Sequence, residues 1–128
     1  SVFVYSGRDG SLLRRLNGPS EGFALGTALA CCKLDRDRLP EIIVGAARVA
    51  PEADFRKGAV LVFSGRDGSL LQRIDGEVVG SNFGFAVACC ERRGKGTGTL
   101  VGAPLDDPEG REDAGTVSVL ALRRRGRR

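Results

Sequence analysis

The chain has no histidine, no methionine and no tryptophan, and one tyrosine among 128 residues. Without histidine, Ser–His and Cys–His nucleophile pairs are excluded, and zinc loses its usual nitrogen ligand. Cysteine is scarce and oddly placed, as the vicinal pairs Cys31-Cys32 and Cys89-Cys90, which is not the C-x₂-C spacing of a zinc site. No run approaches the ~20 apolar residues that carry a helix across a bilayer. No leader peptide is visible, but the chain opens on a strand-like segment without an initiator methionine, so this says nothing about secretion.

What is present is glycine, 19 residues of it, in a chain that is 41% hydrophobic. Glycine between short β-branched runs suits many short strands joined by tight turns, and long helices are not expected. The net charge of +4 is local: five arginines in residues 123–128 exceed it, leaving residues 1–122 at −1. A terminal arginine run can attract nucleic acid, anionic lipid or an acidic partner; with no supporting motif, a solvated end is the plainer reading, and nucleic acid is not an expected partner.

Ser-Gly-Arg-Asp-Gly-Ser-Leu-Leu occurs at 6–13 and again at 64–71, 58 residues on. At the same offset Phe3-Val4-Tyr5 matches Leu61-Val62-Phe63, Asn17-Gly18 matches Asp75-Gly76, and Ala30-Cys31-Cys32 matches Ala88-Cys89-Cys90. A fixed period of this size marks an array of structural repeats. The Asp-Gly turns at 9–10 and 67–68 predict hairpins. One period then holds four strands, Thr27–Cys32, Glu41–Ala46, Ala59–Ser64 and Ser69–Ile74. The next gives Phe85–Cys90, Thr99–Gly102 and Thr116–Leu120, with the arginine tail in place of a fourth strand. Four antiparallel strands per repeat is the arithmetic of a β-propeller blade.

Phe83-Gly84, followed by Leu100-Val101-Gly102-Ala103-Pro104, resembles the FG-GAP repeat of integrin alpha-type β-propellers; Leu25-Gly26 and Gly45-Ala46-Ala47 are a weaker copy. The resemblance covers nearly the whole chain except the tail. It implies an all-β fold of four-stranded blades, about two of them plus half-blades, in an incomplete ring. Residues 1–18 would be the outer strands of a preceding blade, 19–76 the first repeat, 77–122 the second without its fourth strand, and 123–128 a basic tail. Gly26 and Gly84 would let an inner strand approach a crowded axis, while Gly45 and Gly102 would mark bends at the end of the second strand and Pro104 would fix the exit.

The family's blades carry a calcium loop, Asp-x-Asp-x-Asp-Gly-x-x-Asp, between the first two strands. The matching segment, 33–41, offers Asp35, Asp37, the Leu39 carbonyl and Glu41 as ligands, and carboxylates at alternate positions can converge on a hard cation. Two departures oppose calcium: Lys33 stands where the first Asp belongs, and Arg38 replaces the glycine of the bend. The charges cancel, and the expectation is a salt-bridged loop that needs no metal. The equivalent loop, 91–98, has one carboxylate and three cations. A separate acidic run, 106–113, follows Gly-Ala-Pro and reads as a hydrated connection.

For the cysteines the expectation is small, buried free thiols, with each pair pointing one side chain inward and one outward. A bridge between repeats would need Cα atoms within about 7 Å. Asp9 and Asp67 sit in identical turns and read as structural. No acid, base and nucleophile converge, so no catalysis is expected. The resemblance implies an extracellular or cell-surface binding and adhesion scaffold, its loops presented to a protein or carbohydrate ligand. The alternatives are a basic-tailed module on nucleic acid or an anionic surface, and a decayed fragment without independent function. Two periods do not close a ring of about four to eight blades, so association with the rest of a longer propeller, or with further copies of the chain, is expected.

Overall fold

Glycine-punctuated runs of valine, leucine and isoleucine fold as nine antiparallel strands, with no α-helix among the described residues. The structure, a computed structural model, describes residues 1–18, 25–33, 40–47, 57–78, 80–92, 96–106, 110 and 114–120, the side chains of Glu91 and Arg92 excepted. Strands β1 (Val2–Tyr5) and β2 (Leu12–Leu16) form a two-stranded sheet. Strands β3 (Ala28–Cys32), β4 (Glu41–Ala46), β5 (Ala59–Phe63) and β6 (Leu70–Asp75) form a four-stranded meander. Strands β7 (Ala86–Arg92), β8 (Gly96–Ala103) and β9 (Thr116–Leu120) form a three-stranded one. The all-β, antiparallel expectation holds at this level, and every expected strand is present.

Boundaries differ where pairing outruns local propensity. The strand expected at Thr99–Gly102 begins at Gly96, because 96–98 continue the ladder opposite Cys90–Arg92. The strand expected at Ser69–Ile74 shifts to Leu70–Asp75 because Ser69 belongs to the turn. Residues 121–128, including Arg123, Arg124, Arg125, Arg127 and Arg128, lie outside the described residues.

Both repeated hairpins close alike. The amide of Ser6 donates to the Ser11 carbonyl (2.8 Å) and that of Gly10 to the Ser6 carbonyl (2.9 Å); Ser64, Ser69 and Gly68 repeat the pattern. Pairing passes from Val4↔Arg14 to Tyr5↔Leu12, so Leu13 is an extra, bulged residue, and Leu71 is its counterpart between Val62↔Gln72 and Phe63↔Leu70. Such a bulge increases local twist.

The core consists of two layers, one on each side of the middle sheet. Val44, Ala46, Ala59, Leu61 and Phe63 pack toward Val2, Leu16 and Leu25, with Val4 at the margin. Ile43, Val60 and Val62, the alternate residues of the same two strands, pack toward Phe83, Val101 and Ala103, with Val87 and Leu120 alongside. Strands β4 and β5 are therefore covered on both faces, which explains why they read as continuous apolar runs rather than alternating ones. Each fully buried Val, Leu or Ile contributes roughly 1.5–3 kcal/mol, so the middle sheet anchors the molecule.

Candidate functional site

The antiparallel meander of the second sheet sets Gly45, Gly58 and Gly76 at the end opposite its 65–68 hairpin turn, and Phe83-Gly84 meets them there.

Phe83-Gly84 seats the third sheet on the second. The Phe83 ring is buried against Ile43 and Val60, and its backbone forms a parallel bridge with Gly58. The Gly84 carbonyl lies directly over Gly45, so a Cβ at Gly45 would drive into that oxygen. A Cβ at Gly58 would meet the Phe83 carbonyl, and one at Gly76 would approach the Phe83 side chain to 2.8 Å. Gly45 and Gly58 thus hollow out a seat for one dipeptide, because only hydrogen leaves room for two backbones at this separation; at Gly76 the first obstacle is the Lys57 carbonyl. Leu25-Gly26 does the same against the first sheet in a looser form: Leu25 is buried with Val2 and Leu16, and a Cβ on Gly26 would meet Val2 at an ordinary 3.6 Å.

This corrects the readings of Gly45 and Gly102. Gly45 and Gly102 are not bends: both lie inside strands, paired with Ala28 and Val60, and with Ala86 and Val117. Gly45 is required by the inter-sheet contact, whereas Gly102 has only Ala86 nearby, its Cβ at 3.8 Å. Gly26 and Gly84 both adopt positive φ, 105° and 93°, and the crowding at Gly84 comes from the neighbouring sheet, where a Cβ would lie 2.5 Å from the Ala59 carbonyl. Ala103 is buried in the same layer, and the Pro104 residue packs beside Gly115.

Beside the clasp, a cleft of about 200 Å³ opens between the end of β6 and strand β9. Its wall carries Asp75, Glu77, Asp106, Thr116 and Ser118, over an apolar floor of Ile74, Phe83 and Leu120. Arg73 fixes the Asp75 carboxylate through Nε (2.8 Å). Thr116 donates from Oγ1 to Asp106 (2.8 Å), and the Gly115 amide donates to the Asp106 carbonyl. Acceptor groups above an apolar floor suit a ligand that supplies hydroxyl or cationic donors. The sequence reading missed this site, since Asp75 and Asp106 lie 31 residues apart and only sheet stacking brings them together; the Gly18/Gly76 repeat match was its one available signal.

Of the expected calcium ligands, Glu41 alone is among the described residues. Glu41 is placed at the start of β4, opposite Cys32, with its residue only 2% exposed. Asp35, Asp37 and Leu39 lie outside the described residues, and so does the acidic run beyond Asp106, apart from Gly110. At the hairpin end, Asp9 caps its turn as expected: Oδ1 accepts from the Ser11 amide (2.9 Å), and Asp67 accepts from Ser69 in the same way. The Ser11 amide, and after it the Ser11 hydroxyl, hold the Asp9 carboxyl below its ordinary value.

The expectation of four free thiols is overturned. Cys32 and Cys89 form a disulfide across the sheets, with Cα atoms 5.3 Å apart, because the stacking sets β3 beside β7. The pairing is between non-equivalent members of the two repeats. Cys31 and Cys90 lie outside the bridge, Cys31 exposed and Cys90 half-buried.

No family model matches the chain, and no curated protein matches it.

Proposed function

We propose that the chain is a non-catalytic binding module, a segment of an extracellular propeller of the FG-GAP type. It presents the loops of its glycine end, and the cleft among them, to a protein or carbohydrate ligand. The observation that carries this reading is the repeated seating of each sheet on the one before, by Leu25-Gly26 and then by Phe83-Gly84. Serial stacking of short antiparallel sheets is how blades are arrayed, and it builds a concave, polar-walled site from connections that are otherwise far apart. The inter-sheet disulfide supports a location outside the reducing cytosol. Binding at the cleft rests on the acceptors Asp75, Glu77 and Asp106, the hydroxyls of Thr116 and Ser118, and the apolar residues Ile74, Phe83 and Leu120 beneath them.

The test is a glycan array and a displayed-peptide library, both probed with the intact chain. A retained ligand should bind at least about tenfold more weakly to Glu77→Lys and Ser118→Arg, since each fills or recharges the cleft. Failure to retain a ligand from either collection, or a ligand indifferent to both substitutions, contradicts the reading.

A further inference from the structure

The two outermost sheet faces are copies of faces that already pack against each other inside the molecule. In the second sheet Ile43, Gly45, Val60 and Val62 share one face, by the pairs Ile43↔Val62 and Gly45↔Val60, and this face receives the third sheet. In the third sheet the pairs Leu100↔Val119 and Gly102↔Val117 place the corresponding residues in the same rows. There, among the described residues, they pack against nothing comparable: Val117 is 70% and Val119 53% exposed. The Gly102 position, equivalent to the crowded Gly45, has only Ala86 of its own sheet within reach among the described residues.

The complementary face is at the other end of the stack. Leu61 and Phe63 of the second sheet are buried against the first. Their repeat equivalents, Phe3 and Tyr5, are 48% and 59% exposed. They stack on each other at 6.4 Å, and the Arg15 guanidinium covers Phe3 at 5.5 Å. Aromatic and arginine side chains of this kind are the usual anchors of protein contacts.

We infer that copies of this chain associate head to tail, with the Phe3/Tyr5 face of one seated on the Leu100/Val117/Val119 face of the next. The contact continues the face-to-face pairing used twice within the chain, and a second copy carries the complement of each open face. It is a heterologous contact, in which two different surfaces meet and each copy keeps one of each free for further growth or closure. The inference rests on the blade reading above, but it uses surfaces away from the cleft.

Sedimentation velocity on the intact, oxidised chain and on Phe3→Asp and Val117→Asp tests it. The parent should show a concentration-dependent mass that is a multiple of 13.5 kDa by about 200 µM, the affinity range of a modest contact. Each variant alone should remain at 13.5 kDa, and an equimolar mixture should form a one-to-one dimer that grows no further, since only one competent pair of faces remains. A monomeric parent overturns the inference. So does a Val117→Asp variant that still dimerises by itself, which would mean like faces meet, or association that survives both substitutions, which would mean strand edges meet. Where an Asp variant loses its far-UV β signal, Phe3→Ser and Val117→Thr take its place. A monomer that still retains a cleft ligand ends this inference alone; an assembled chain that retains none ends the binding reading alone.

Discussion

Gly45 and Gly102 share a position in two repeats and differ in what a methyl group would meet. At Gly45 the methyl enters the Gly84 carbonyl; at Gly102 it finds ordinary space beside Ala86. Gly45→Ala should therefore cost about 2–3 kcal/mol as an overpacked contact, and Gly102→Ala should be neutral or stabilise by up to ~1 kcal/mol, as glycine in a strand normally allows. Thermal unfolding at low protein concentration separates them; equal effects would mean the clasp is not the reason for Gly45. Thr99 offers a second measure, because its hydroxyl is fully buried and unpartnered among the described residues. Thr99→Val should raise stability by about 1 kcal/mol, an unpaired buried hydroxyl being a cost that valine lacks. Asp9 supplies the pH dependence. Its folded carboxyl is lowered by Ser11, so its contribution is present above the unfolded carboxylate range and is lost as pH falls through the folded value. The protection factor of the Ser11 amide, its exchange rate relative to an unstructured peptide at the same pH, should fall on acidification below about pH 4 in the parent, and Asp9→Asn should remove that step; an identical profile in both would contradict the capping role.

At the scale of the strand and sheet, the disulfide ties β3 to β7 and closes a loop whose ends are 57 residues apart. Loop-closure entropy for that length is about 4 kcal/mol. Replacing Cys32 and Cys89 together by alanine should lower unfolding stability by roughly that amount, and the parent in a strong reductant should follow it. Stability unchanged by either treatment would place β3 and β7 apart. The strands themselves were legible because Asp-Gly turns and β-branched runs act locally: Glu41–Ala46 and Thr116–Leu120 were read to the residue. The hairpins were legible for a further reason, as Asp9 and Asp67 bond within their own turns. The cleft and the bridge were not, since both depend on which faces stack. The roles of Gly45 and Gly102 were misread on the same ground: a glycine's sequence context does not reveal whether its neighbour is solvent or another backbone. Asp35, Asp37 and Leu39 fall outside the described residues.

For the whole molecule, everything proposed depends on one arrangement: three sheets stacked in chain order, the second covered on both sides and the third seated on it through Phe83-Gly84. That order assembles the cleft, sets the cysteines of neighbouring repeats together, and leaves one face of each kind open at the ends of the stack. The most direct measurement is the cysteine connectivity of the natively folded, oxidised chain. Free thiols are alkylated before unfolding, the protein is cut with trypsin without reduction, and the linked peptides are fragmented in a mass spectrometer. The expected result is a bridge between the peptides 16–33 and 74–92, with the label on Cys31 and Cys90. A bridge inside either vicinal pair, or label on all four cysteines, would contradict the stacking order.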